Sequence, residues 1–331
     1  MADPLRTPLC DRLGIELPII QAPIGSAATA ELVSAVAEAG GLGVAAMTWK
    51  SDDEVRIFLE RARALTARAI AINVVLAFPV EGQISRCLDS GVRVVSTAWG
   101  DPAQMSTRIH DAGALHLHTV GSVDEAKLAA DAGIDVIVAQ GWEAGGHVRG
   151  SVSTMALVPA VVDAVAPIPV IAAGGIGDGR GLVAALALGA QAAWLGTRFL
   201  VASEAFTHAV YRRRVIAADG VDAVYTGCFD GGWPDAPHRA LANSTLRRWQ
   251  EAGSPPPPNR PGEGDVLATQ PNGREHHRYD DIMPLPDMVG DLDGLALYAG
   301  QSAGLVHDEG PAGDIVRRIA AEAREVVEGL A

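Results

Sequence analysis

His147 closes the segment EAGGH at 143–147, and a histidine at the end of a short glycine-rich loop is free to turn its imidazole toward a ligand. Histidine titrates near neutrality and is the commonest general acid or base, so His147 is the candidate catalytic residue. Gly145 and Gly146 let the backbone approach a flat ligand closely, which distinguishes this histidine from an ordinary surface one. Two further segments carry glycine where phosphate binding uses it: AAGGIGDGRG at 172–181 and LGTRF at 195–199. Backbone N–H groups of Gly174, Gly175, Ile176, Gly196 and Thr197, with the Thr197 hydroxyl, form a donor set suited to an anion beside a helix N-terminus. The competing reading is that these glycines only relieve crowding in tight turns. Their occurrence after two consecutive strand-like runs favours phosphate. His116 and His118 stand two apart on one strand face, but no carboxylate joins them, so polar packing is expected there and no metal. No G-x-S-x-G elbow is present, which argues against a serine hydrolase.

These residues need a frame that gathers loops from distant parts of the chain. Eight short apolar runs alternate with Ala-rich segments of helical period, at 18–24, 42–46, 70–75, 92–98, 115–120, 134–140, 169–173 and 192–196. Helices between them end in a recurring punctuation, EAGG at 38–41, DSG at 89–91, DAG at 111–113 and 131–133, and LGA at 188–190, whose glycines suit left-handed C-caps. The pattern predicts an α/β fold, a (β/α)8 barrel, in preference to an open doubly wound sheet, because no G-x-G-x-x-G follows the first strand. Ligands are then expected at the strands' C-terminal ends, where Ala22, Pro23, Ile24, Asn73 and Gln140 also fall. Residues 1–205 and 281–331 read as barrel, and 206–280 as a lid-like insertion after strand eight, helical around 243–251. Its tract SPPPPNRPGEG at 254–264 reads as a stiff, exposed connection. Ile315, Ile319, Ala323 and Val327 mark a last amphipathic helix that closes the outer ring.

The chain has 331 residues, 48% hydrophobic and 20% charged, enough to bury a large core. Its net charge of −14 opposes binding to a phosphate backbone, so nucleic acid is not an expected partner. Cys10, Cys87 and Cys228 are widely spaced, which suggests neither a disulfide framework nor a zinc site. With no signal peptide and no membrane span evident, a cytoplasmic protein is expected.

Taken together, the segments PIIQAPI at 18–24, AGGLG at 39–43, AINVV at 71–75, DVIVAQGWEAGGH at 135–147, PVIAAGGIGDG at 169–179, LGTRF at 195–199 and YAGQSAG at 298–304 resemble the nitronate monooxygenase family over nearly the whole chain. These enzymes, formerly called 2-nitropropane dioxygenases, are FMN-dependent barrels. The resemblance implies that Ala22, Pro23 and Ile24 run along the flavin ring, that Asn73 and Gln140 bond its polar edge, and that Gly145 packs against it. It implies a phosphate site at Gly174, Gly175, Gly196 and Thr197, with Gly300 and Gln301 returning to touch the cofactor. His147 matches the family's active-site histidine, which binds the nitro oxygens of a nitronate or takes the α-proton of a neutral nitroalkane. The implied reaction passes electrons from the nitronate through FMN to dioxygen and yields a carbonyl compound and nitrite. Trp142 departs from the family's small or polar residue, and with Phe229, Trp233 and His238 it is a candidate for the substrate pocket.

The alternative on the same barrel is an NAD(P)H-dependent reductase of quinones or enoyl thioesters, for which a nicotinamide must stack on the flavin. A flavin-free sugar-phosphate isomerase is a third possibility. Whether the chain forms a homodimer is left open.

Overall fold

A computed structural model describes residues 3–330. Its centre is a closed barrel of eight parallel strands. Six come first: β1 (Ile19–Gln21), β2 (Leu42–Ala46), β3 (Ala71–Val75), β4 (Val94–Ala98), β5 (Leu115–Val120) and β6 (Val136–Gln140). A two-residue strand outside the barrel, β7 (Gly146–His147), precedes the last two, β8 (Val170–Ala173) and β9 (Ala192–Leu195). Ile20 of β1 pairs with Trp194 of β9, so no sheet edge is left. The eight strands lie where the apolar runs put them, although β1 stops at Gln21 and β4 begins at Val94.

Alternate residues point inward and pack together, among them Ile20, Val44, Val94, Leu117, Val138, Ile171 and Trp194. Leu9, Cys10 and Leu13 of α1 (Pro8–Leu13) join this interior. Thr7 donates to the Gln191 carbonyl just before β9, which holds α1 as a plug at the N-terminal end of the barrel. The outer ring consists of α2 (Ala30–Glu38), α3 (Asp52–Leu65), α4 (Glu81–Asp89), α5 (Ala103–Asp111), α6 (Val123–Asp131), α7 (Thr154–Val165) and α8 (Gly179–Ala187). The punctuating glycines at 40, 91, 113, 133 and 189 all have φ between +69° and +93°, a region that penalises a Cβ.

After β9 the chain builds a subdomain over the barrel. It contains α9 (Ala209–Ile216), the antiparallel pair β10 (Ala223–Thr226) and β11 (His238–Leu241), and α10 (Ser244–Glu251), which Asn243 caps. A second small sheet follows, β12 (Val266–Thr269), β13 (Glu275–His277) and β14 (Val289–Gly290). Neither sheet was expected from the sequence, since strands such as HRAL at 238–241 lack period-two alternation. Met283, Leu285, Leu292, Leu295 and Leu297 pack with Tyr211 and Val215 of α9, so the return segment shares the subdomain's core. Finally α11 (Ala312–Leu330) packs against α8 and α2 and completes the ring.

The proline tract is tied down more firmly than a free connection. Arg260 is buried, ion-pairs with Asp230 and Glu263 and stacks over Tyr279, while Tyr279 donates to the Pro261 carbonyl. The prolines themselves face solvent, apart from half-buried Pro255 and Pro261.

Candidate active site

Glycine turns follow β8 and β9 side by side. Gly174 and Gly175 have φ of +102° and +73°, conformations open chiefly to glycine. The N–H groups of Gly174, Gly175, Ile176 and Gly196 donate to no acceptor among the described residues. Space also remains beside them: a Cβ at Gly175 would meet only the Glu143 side chain, at 3.5 Å. One at Gly196 would lie 3.6 Å from Ala22 and 3.7 Å from Ile24. The N-terminus of α8 is not part of this donor set, because Asp178 accepts from Arg180 and Gly181 and Glu322 accepts from Gly179. The free donors are those of the turns.

The C-terminal segment crosses this region at backbone contact. Gly300 N–H donates to the Thr197 hydroxyl at 2.9 Å, and Gln301 N–H donates to the Glu143 carbonyl at 2.9 Å. A Cβ at Gly145 would stand 2.3 Å from the Gly300 nitrogen, so no side chain fits at 145. The Gln301 side chain is exposed. On the inner barrel wall, buried Asn73 donates to the Ser96 hydroxyl at 3.1 Å. Pro23 and Ile24 follow β1 at the same end and are half-buried.

His147 is held from three directions. Its strand β7 pairs with β11, His147 opposite His238. Gln140 donates to its carbonyl at 3.1 Å. Its ring stacks on Trp233, with centroids 4.1 Å apart and planes 29° apart, and meets Trp99 edge-on at 6.1 Å. Its Nε2 is buried without a hydrogen-bond partner among the described residues and faces Asp281 Oδ2 at 3.8 Å. Tyr298 donates to the other oxygen of that carboxylate, and Tyr211 donates to the Tyr298 carbonyl. Burial, reinforced by His238, pushes the imidazole down to about 3, so it is neutral at pH 7. Burial pushes the Asp281 carboxyl up to about 6 against the opposing Tyr298 hydrogen bond.

Of the residues the sequence offered for a substrate pocket, Trp233 and His238 lie beside His147. His238 has both ring nitrogens engaged, Nδ1 donating to the Ala236 carbonyl and Nε2 accepting from Phe229 N–H. Phe229 is fully buried behind it in the subdomain core. Trp142 is not brought to His147: its ring packs on Tyr225 at 4.1 Å, beneath Arg239 at 4.9 Å, and its carbonyl accepts from Arg239. His116 and His118 share one partner, the Thr97 hydroxyl, at 2.8 and 2.7 Å.

Sequence reasoning missed Asp281, Tyr298 and Trp99. Tyr298 was in view as the first residue of YAGQSAG, whereas Asp281 and Trp99 belong to no recognisable motif. Trp99 has φ of +58°, a strained conformation for a bulky residue. It forms one wall of a cleft of about 620 Å3, which Asp101, His118, Glu125, Gln140 and Arg149 also line.

The fold and this arrangement define a (β/α)8 barrel whose turns after β8 and β9 carry N–H groups without acceptors among the described residues, linked through Gly300 to the loop that ends in His147. The nitronate monooxygenase family model matches residues 6–82 and 72–322, and the chain belongs to that family. It is 40% identical to a (3aS,4S,5R,7aS)-5-hydroxy-7a-methyl-1-oxo-octahydro-1H-indene-4-carboxyl-CoA dehydrogenase of Mycobacterium tuberculosis, over 76% of this chain and 70% of that protein. FabK from Thermotoga maritima superposes with a TM-score of 0.84 at 33% identity, covering 98% of both chains. A nitroalkane oxidase from Streptomyces ansochromogenes gives 0.78 at 30% identity, covering 98% of this chain and all of the other.

Proposed function

We propose that this chain is an FMN-dependent oxidoreductase that oxidises the carbon bearing a nitro group, with an alkyl nitronate or its parent nitroalkane as electron donor and dioxygen as acceptor. The observation that carries the reading is the pairing of an unpartnered N–H cradle with an unpartnered, buried imidazole, joined through Gly300. That residue bonds Thr197 on one side and touches Gly145, two residues before His147, on the other.

The residues present fit the cofactor. Gly174, Gly175, Gly196 and Thr197 would hold its phosphate, and Ala22, Pro23, Ile24, Asn73 and Gln140 would line its ring, with Gly145, Gly300 and Gln301 closing the cradle. FMN, when bound, supplies the electron transfer between the substrate carbon and dioxygen. His147 orients the nitro group and, with a neutral nitroalkane, holds the α-proton. Trp233 and Trp99 exclude water from the imidazole.

The 40% identity to a CoA-thioester dehydrogenase and the carboxylate beside His147 favour a second reading, oxidation of an acyl thioester or its reduction with NAD(P)H as electron donor. A buried carboxylate suits a substrate that arrives neutral and repels one that arrives as an anion.

The test is anaerobic. The visible spectrum of the purified, FMN-supplemented protein is followed on adding an alkyl nitronate, a nitroalkane, an acyl-CoA, or NADH or NADPH. Bleaching by the nitro compounds, with oxygen uptake and nitrite on aeration, is expected. Bleaching by nicotinamide or acyl-CoA alone would replace this reading with the second, and a protein colourless after incubation with FMN would end both.

A further inference from the structure

We propose that Asp281, held by Tyr298, is the positioning residue that fixes the His147 tautomer and makes its imidazole an effective base toward a neutral carbon acid. The inference rests on the proton-handling role given to His147 above.

An imidazole buried among aromatic rings resists becoming a cation, because the low-dielectric surroundings do not solvate it. Something must offset that penalty if His147 is to take a proton. The groups facing it are Trp99, Trp233, His238, Tyr298 and Asp281. His238 is spoken for at both nitrogens, and the indoles and phenol carry no charge. Arg149 lies beyond, over Trp99 at 5.9 Å, and is paired with Glu125. Among the described residues Asp281 is thus the one carboxylate within ion-pair reach of the ring. Its own surroundings are Tyr298, which donates to Oδ1, and Asp280. The Tyr298 bond leaves Oδ2 turned toward His147, and the Tyr211 bond to the Tyr298 carbonyl steadies that arrangement.

The two ring nitrogens are then unequal. Nε2 is sealed off and faces an acceptor, while Nδ1 is not sealed. A shift of about 1 Å converts the 3.8 Å separation into a hydrogen bond. The carboxylate therefore favours the tautomer with its proton on Nε2, which leaves the Nδ1 lone pair for the substrate. When the substrate C–H bond breaks, the proton bonds to Nδ1 and the electron pair stays on carbon, delocalised into the nitro group or thioester carbonyl. Asp281 is the counter-ion of the imidazolium so formed.

The experiment uses the FMN-loaded full chain as wild type and as Asp281→Asn, Asp281→Glu and Tyr298→Phe. A preformed nitronate needs no proton removed, whereas a nitroalkane does. Asp281→Asn is expected to lower the ratio of nitroalkane to nitronate kcat by about 30-fold, within the range of a general-base contribution, with Asp281→Glu recovering part of it. Equal loss on both substrates overturns the proposal. A second readout needs no turnover: 15N NMR of the labelled imidazole, assigned with His147→Gln. It should show the Nε2–H tautomer in wild type and a mixed tautomer in Asp281→Asn, both at pH 7. An unchanged tautomer overturns the proposal whatever the substrate. If wild type oxidises no nitro compound while the NMR result holds, the proposed function fails and this inference stands. Tyr298→Phe, which leaves the carboxylate in place, gives the same readouts at smaller amplitude should Asp281→Asn fail to fold.

Discussion

At the level of single residues, the proposed function divides the site into groups that hold a ligand and groups that move a proton, and substitutions should separate them. His147→Ala is expected to keep its flavin yet lose about 100-fold or more of turnover; an unchanged rate with a nitroalkane would remove His147 from the chemistry. Gly175→Val should do the reverse, since a side chain at φ +73° is strained and intrudes beside the free N–H groups. A fully yellow Gly175→Val protein would count against the cradle. The activity should also fall as pH drops below about 6, because Asp281, raised to that value, loses its charge there. Asp281→Asn should abolish that acid limb in kcat/KM. His147 and the glycines were legible because local spacing announces them. Asp281 and Tyr298 were not, because their meaning depends on a contact between segments more than 130 positions from His147 in the chain.

Among the elements, the barrel strands and their helices were readable almost to the residue. Each is a local apolar run followed by an Ala-rich helix and a glycine cap, so short-range signals suffice. The subdomain strands are another matter: β7 has two residues and exists because β11 pairs with it. Such strands are imposed by tertiary contact. The proline tract shows the same limit, since its composition implied exposure but not the Arg260 anchor. Arg260→Ala should release residues 254–264, leaving Asp230 and Glu263 without their shared cation. Limited proteolysis is expected to cut the variant within that tract and spare wild type; equal resistance would show the anchor to be dispensable.

For the molecule as a whole, burying histidines ties stability to pH. Burial pushes His116 to about 3, His118 to about 4 and His147 to about 3, all below the ordinary value of 6.5. Between those values and 6.5 the unfolded chain binds more protons than the native one, so the stabilisation is complete above about 6.5 and is lost as pH falls. Burial lowers His238 and His276 as well, so Asp281, raised from 3.8 to about 6 and acting in the opposite sense, is one group against five. The urea midpoint should therefore decline steadily from pH 7 to pH 5, and a flat profile would show these imidazoles to be more hydrated than their packing implies. The connectivity of the site has a further consequence for how the protein is made. The turns after β8 and β9 are complete by residue 197, whereas the strand that steadies His147, the carboxylate facing it and the phenol behind that carboxylate arrive at 238, 281 and 298. The helix that covers α8 and α2, with Ile315, Val316 and Ile319 in the outer core, arrives later still, so a chain halted in translation after β9 would lack both the wall of its barrel and the surroundings of its histidine.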